Sequence, residues 1–200
     1  MIQIINYGLG NLGSVQNMLK RINVQSVIIK NPRDLITDKI ILPGVGSFDT
    51  GMNNLLNDGW IEVLNEKVLK ERVPTLGICL GMQLMTNRSE EGCLGGLGWI
   101  DGEVIKFPAN NLKIPHMGWN VVKPVNERPS ILQSEKDELR FYFVHSYYVR
   151  VKNRSEELGE TNYGDNFTSA FRRENIYGVQ FHPEKSHKFG MMLLRNFASL

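Results

Sequence analysis

Thr75-Leu76-Gly77-Ile78-Cys79-Leu80-Gly81-Met82-Gln83 opens as a short apolar run behind Pro74 and passes, between two glycines, into a helix-forming run. Read as strand, turn and helix, it is one unit of an alternation that fills the first half of the chain. Toward the N-terminus, Gln3 to Ile5 predicts a strand. Asn11 to Ile22 predicts a helix, with Leu12, Val15, Leu19 and Ile22 at helical spacing. Ser26 to Ile29 and Lys39 to Leu42 predict two further strands, the second closed by Pro43-Gly44, and a helical stretch from Phe48 to Lys70, broken near Gly59, leads back to Thr75. Strands alternating with helices imply crossover units and a parallel sheet. From Gly95 onward the pattern changes. Trp99 to Phe107, Gly118 to Val122, Phe141 to Val149, Thr168 to Phe171 and Ile176 to Phe181 are β-branched or aromatic runs, punctuated by glycine, proline and asparagine. They predict antiparallel strands, and Lys188 to Leu200, with Met191, Leu194 and Phe197, predicts a closing amphipathic helix. The expectation is one α/β domain over residues 1–200, with three layers about a mostly parallel central sheet and an antiparallel extension.

Composition narrows the class of function. The 200 residues are 42% hydrophobic and 22% charged, enough for a core that needs neither disulfides nor a structural metal. Lys plus Arg number 23 against 21 Asp plus Glu, a net charge of +2, without the basic excess of a protein that grips nucleic acid. No apolar run approaches the roughly 18 residues of a membrane span, and Met1-Ile2-Gln3-Ile4-Ile5-Asn6 reads as a strand rather than a secretion signal. The two cysteines, Cys79 and Cys93, are too few for a disulfide scaffold. Four histidines without a C-x-x-C give poor support to a zinc site. A cytoplasmic setting with reduced thiols is expected, with no metal, no nucleic acid and no membrane as partner.

Gly8-Leu9-Gly10-Asn11-Leu12-Gly13 matches the glycine pattern of a dinucleotide-binding turn, after a strand and before a helix. That use requires an acid at the end of the second strand. Here the strand ends Ile29-Lys30-Asn31-Pro32 and the first acid, Asp34, lies beyond the proline. A tight strand-to-helix turn explains the glycines without a cofactor.

Cys79 sits between strand and helix as G-x-C-x-G, the cysteine form of a nucleophile elbow. The glycines permit a strained turn that lifts the sulfur out of the sheet, and the helix N-terminus behind it favours negative charge there. The Leu80 N–H is then placed to donate to a developing oxyanion. The bland alternative is a buried structural cysteine. A thiol nucleophile needs a base, and the base needs an orienting group. His182, in Val179-Gln180-Phe181-His182-Pro183-Glu184, follows the last strand and has Glu184 held beside it across a proline. His116 and His145 are rival bases without such a carboxylate. Leu42-Pro43-Gly44-Val45-Gly46-Ser47 is a glycine loop after a short strand, able to supply a second oxyanion donor or to be an ordinary turn.

These three pieces, in the chain order Pro43-Gly44-Val45-Gly46, then Gly77-Ile78-Cys79-Leu80-Gly81-Met82-Gln83, then Gln180-Phe181-His182-Pro183-Glu184-Lys185-Ser186, resemble the class I (triad-type) glutamine amidotransferases, a flavodoxin-like family. Within it, the chain is similar to the glutaminase subunits of imidazole glycerol phosphate synthase. The similarity is carried by Tyr7-Gly8-Leu9-Gly10-Asn11-Leu12, Pro115-His116-Met117-Gly118-Trp119-Asn120, Phe143-Val144-His145-Ser146-Tyr147 and Lys185-Ser186. The resemblance implies Cys79 as nucleophile, His182 as acid/base and Glu184 as its orienter, with Val45, Gly46 and Leu80 in the oxyanion region. It implies a glutamine pocket at Gly46, Gln83, His145, Ser146 and Tyr147, and a partner-facing side at Asn11, Trp119 and Lys185. It implies no cofactor. It implies a heterodimer with a (β/α)₈-barrel cyclase subunit that receives the ammonia and makes imidazole glycerol phosphate and an aminoimidazole carboxamide ribotide in histidine biosynthesis. Asn6 departs from the aspartate more often expected before the Tyr-Gly turn, and Ser186-His187-Lys188-Phe189-Gly190 also resembles paralogues that supply ammonia for amidation of a surface-polysaccharide sugar. A nucleotide-binding oxidoreductase, a cysteine peptidase or deglycase, and a non-catalytic regulatory partner are the other classes open to the sequence.

Overall fold

The computed structural model describes residues 1–36, 38–108, 112–125, 131–134 and 138–200. The inner strands of its first half are short and buried on both faces, as parallel strands sandwiched between helices must be. β1 (Ile2–Ile5), β3 (Ile40–Leu42) and β4 (Thr75–Ile78) are buried at every position, and β2 (Ser26–Ile29) forms the edge. Between them run α1 (Leu12–Arg21), α2 (Phe48–Asn57) and α3 (Trp60–Asn65), which continues as one wide π-helical turn over Glu66–Lys70. The break between α2 and α3 falls at Gly59, whose φ of +73° is the left-handed conformation that ends a helix without penalty only at glycine. After β4 come α4 (Leu80–Leu84), β5 (Arg88–Ser89), β6 (Gly102–Lys106), β7 (His116–Val121), β8 (Lys123–Pro124), β9 (Arg140–His145) and β10 (Tyr147–Val151). The chain closes with β11 (Glu157–Tyr163), β12 (Asp165–Arg173), β13 (Ile176–Val179) and α5 (His187–Ala198).

The first five positions of the main sheet, β2-β1-β3-β4-β13, are parallel. Beyond β13 the sheet continues through antiparallel pairings with β12, β10 and β6, with β11 and β8 branching from β12 and β5 at the far edge. The expected α/β fold with its antiparallel extension is the observed one. One hydrophobic cluster packs α1 and α5 on one face through Val15, Leu19, Leu193, Leu194 and Phe197. A second packs α2, α3 and α4 on the other through Phe48, Leu55, Trp60, Leu64 and Leu80. Each such fully buried aliphatic or aromatic side chain contributes about 1.5–3 kcal/mol relative to exposure. Among the described residues no helix is long and apolar enough to cross a membrane.

Besides Ile176 to Phe181, expected among the antiparallel strands but parallel to β4 as β13 and antiparallel only to β12, two details differ from the sequence expectation. Phe141 to Val149 is two strands rather than one: β9 pairs with β7 in a separate two-stranded sheet, and β10 belongs to the main sheet. The break falls at Ser146, where the His145 ring bonds the Tyr147 carbonyl (2.8 Å) and turns the chain from one sheet to the other. The second difference is β11, whose sequence Glu157-Leu158-Gly159-Glu160-Thr161-Asn162-Tyr163 is too polar to announce itself. Its place is fixed by pairing with β12, with register shifts around Gly159.

Candidate active site

The site lies where β4 and β13, adjacent and parallel, both end. Ile78 is opposite Val179, so the residues that follow each strand emerge on the same edge. Cys79 comes first, with φ +52° and ψ −109°, a conformation that costs a non-glycine residue on the order of 1–3 kcal/mol. Its N–H is tied to the Val179 carbonyl (2.8 Å), and its carbonyl accepts the Gln83 N–H of α4 (3.2 Å). The elbow closes because its neighbours lack side chains. A Cβ on Gly81 would stand 1.9 Å from the Leu42 carbonyl oxygen, and one on Gly77 would stand 2.7 Å from the Met82 nitrogen. Thus the glycines on either side of Cys79 let β3, β4 and α4 meet at distances no other residue allows.

His182 is delivered by the chain leaving β13. Its N–H donates to the Tyr142 carbonyl (2.9 Å), and its own carbonyl accepts the Ser186 hydroxyl (2.6 Å), which in turn accepts the Tyr142 N–H (3.0 Å). The Pro183–Lys185 turn then brings Glu184 back, with Oε1 2.8 Å from His182 Nδ1 and both side chains almost wholly buried. Burial works against charge on His182, but the Cys79 sulfur and the Glu184 carboxylate outweigh it and hold the imidazole well above its ordinary range. His182 Nε2 is buried without an aligned hydrogen bond, although the ring and the sulfur interact strongly. Both side chains line the same cavity. Tyr7 is fully buried nearby, its hydroxyl donating to the Pro43 carbonyl (2.7 Å), and burial together with the Cys79 charge keeps it protonated.

Beside the sulfur is a cavity of about 360 Å³, lined by Val45, Gly46, Cys79, Leu80, Gln83, Glu91, Pro115, Val144, His145, Ser146, Tyr147 and His182. It brings together every residue singled out for the oxyanion region and the glutamine pocket. Leu80 opens α4, whose first-turn N–H groups have no partner within the helix. Gly46, with φ +125°, lets the Val45–Gly46 loop take a conformation closed to other residues. Gln83 donates through Nε2 to the Tyr147 carbonyl (3.0 Å) and to Gln180 Oε1 (3.1 Å), while Gln180 Nε2 lies 3.7 Å from the Cys79 sulfur.

The rival bases His116 and His145 are not placed as bases. They hydrogen-bond each other (2.9 Å), and burial lowers both, to about 4 and about 3, so they are neutral at physiological pH. Glu91, Pro115 and Val144 line the cavity and were not among the expected site residues. Glu91 is the one carboxylate among the described lining residues, and its Oε2 accepts the Phe48 N–H at the start of α2 (2.8 Å). The acidic pair Glu90-Glu91 before Gly92 was its only sequence signal.

Of the residues expected to face a partner, Trp119 and Lys185 both lie near the Tyr142 ring. Trp119 is 47% and Met117 60% exposed on β7. Trp119 stacks on His187 (5.6 Å), and Lys185 Nζ lies 5.7 Å from the centre of the Tyr142 ring. Asn11 stands at the start of α1, which packs against the Pro183–Lys185 turn. The Gly8–Gly13 turn is occupied by the protein itself. Asn54 Nδ2 donates to the Tyr7 carbonyl (3.0 Å), and Gly10 lies against Pro43.

A strained cysteine at a strand–helix elbow, with a buried histidine–carboxylate pair on the same cavity, is an arrangement able to carry thiol acyl transfer. The family model for glutamine amidotransferase class-I matches residues 3–199, and the chain belongs to that family of enzymes. It is 54% identical over 200 residues to imidazole glycerol phosphate synthase subunit HisH 2 of Methanococcus maripaludis, covering 98% of each chain. It is 50% identical over 202 residues to the protein of the same name from Pseudomonas aeruginosa and 47% identical over 205 residues to subunit HisH of Leptospira borgpetersenii, in both cases over 100% of each chain. Among solved structures, a glutamine amidotransferase matches with a TM-score of 0.76 at 17% identity, over 100% of each chain. The PurLQS structure from Thermotoga maritima matches with 0.77 at 14%, over 99% of this chain and 97% of that one, a likeness of fold alone.

Proposed function

We propose that the chain is the glutaminase subunit of an imidazole glycerol phosphate synthase, one amidotransferase domain with Cys79, His182 and Glu184 as its triad. The observation that carries this is the cavity itself, which joins the Cys79 sulfur, the His182 ring and the Val45–Gly46 loop around a space suited to one amino acid. Cys79 attacks the side-chain carboxamide carbon of glutamine. The oxyanion forms against N–H groups of the Val45–Gly46 loop and the start of α4. His182 takes the thiol proton as the sulfur attacks and passes it to the departing nitrogen, leaving a γ-glutamyl thioester and ammonia. His182 then takes a proton from water as it attacks the thioester, releasing glutamate and restoring the thiol. Glu91 is placed to pair with the substrate's ammonium group, and Gln83, His145, Ser146 and Tyr147 shape the rest of the pocket.

Free ammonia would waste glutamine, so coupling to a synthase follows from the chemistry. The three relatives compared carry the synthase-subunit name, which supports a cyclase barrel as partner and gives no support to sugar amidation as the destination. We assign docking to the face of Asn11, Met117, Trp119 and Lys185. The test is to measure glutamate release by the chain alone, with the cyclase subunit, and with that subunit plus its ribotide ligand. Stimulation by roughly 10–100-fold in the liganded complex is expected. Full-rate hydrolysis by the isolated chain would contradict the coupling.

A further inference from the structure

The hydrogen bonds behind the pocket have a direction that the heavy-atom positions fix. The Tyr147 carbonyl can only accept, so the proton of His145 lies on Nδ1, 2.8 Å away. His145 Nε2 is then an acceptor, and its partner 2.9 Å away, His116 Nδ1, carries the second proton. His116 Nε2 is in turn an acceptor, served by Asn120 Nδ2 at 3.1 Å, whose other hydrogen goes to the Asn162 carbonyl (3.0 Å). Every donor and acceptor in this row is matched in one arrangement only, with both imidazoles neutral and both in the Nδ1–H form. The two histidines face each other directly across β7 and β9. They are enclosed by Phe107, Phe143, Tyr163 and Phe167, with the Tyr163 ring stacked on His116 at 4.1 Å. Among the described residues, their hydrogen-bond partners are all neutral groups.

The row ends on a carbonyl that matters. The Tyr147 oxygen takes one hydrogen bond from His145 and the other from Gln83 of the elbow helix, which also holds Gln180 beside the sulfur. Val144, His145, Ser146 and Tyr147 form one wall of the cavity, and at Ser146 this wall leaves one sheet for the other, outside the ladders of both. We propose that His116 and Asn120, which do not line the cavity, are positioning residues that hold this wall in its glutamine-binding shape by fixing the proton arrangement of His145. The proposal rests on the glutaminase reading of the cavity.

The test uses the complex with the cyclase subunit and its ribotide ligand. His116→Phe keeps the aromatic packing and removes the proton that His145 Nε2 accepts. The KM for glutamine should rise roughly tenfold with a much smaller change in kcat. His116→Asn, whose amide N–H can stand where Nδ1–H stood, should recover most of that loss. A purely structural role would lower the active fraction and leave KM unchanged, and that result overturns the proposal. If His116→Phe fails to fold, the ¹⁵N spectrum of the unmodified protein decides. Both rings should appear as neutral Nδ1–H imidazoles at neutral pH, and an Nε2–H or charged form of either ring overturns the arrangement. A wild-type complex that does not hydrolyse glutamine would instead overturn the functional reading, and the spectrum would still test the row.

Discussion

Cys79→Ala is expected to reduce glutamine hydrolysis by the complex roughly 10⁴-fold or more, the usual cost of deleting a triad nucleophile. The substitution isolates the sulfur. Alanine keeps the Cβ, so the strain of a φ of +52° is unchanged, and the N–H bond to the Val179 carbonyl does not depend on the side chain. Glutamine should still bind, because the pocket walls, Glu91 and the loop at Gly46 remain. Synthesis fed with ammonium salts should also persist, since that route bypasses the cysteine. A variant that retained glutaminase activity would remove sulfur from the mechanism.

Glu184→Gln is expected to lower kcat by roughly 10³-fold with little effect on the KM for glutamine. Glutamine matches the shape of glutamate but removes a buried charge 2.8 Å from His182 Nδ1. One of the two groups that hold the imidazole's pKa up is then lost, while the burial that pushes it down remains. The proton on His182 should therefore leave at lower pH than in the unmodified enzyme, so the alkaline limb of the kcat profile moves toward lower pH. The initial-rate profile of the complex reads both effects. An unchanged profile would mean that Glu184 does not govern the state of His182.

Legibility in the sequence followed the range of the interactions involved. The buried strands of the parallel half announce themselves because Ile2–Ile5 and Thr75–Ile78 are short apolar runs bounded by turn residues. The elbow is legible because close packing leaves only glycine at residues 77 and 81. Glu184 is legible because the proline between it and His182 makes their pairing local. What depends on register between distant strands was not legible. The pairing of His116 with His145 requires that β7 and β9 lie in one register, and neither strand's sequence states that alone. The same holds for the change of sheet at Ser146. Glu91 was hidden for a further reason: it enters the cavity from a loop pinned to α2 by backbone contacts of Cys93 and Leu94 with the Asp49 carboxylate (2.9–3.1 Å).

The contrast between the two cysteines gives the most direct test of the thiol–imidazole pair. Cys93 is exposed and Cys79 is buried, so an indiscriminate alkylating reagent that reacts by access alone attacks Cys93. A chloroketone analogue of glutamine, applied to the liganded complex and followed by peptide mass spectrometry, should instead modify Cys79. Labelling should be blocked by excess glutamine and slowed strongly in His182→Gln. Labelling confined to Cys93, or labelling of Cys79 that is indifferent to both glutamine and His182, would contradict the account.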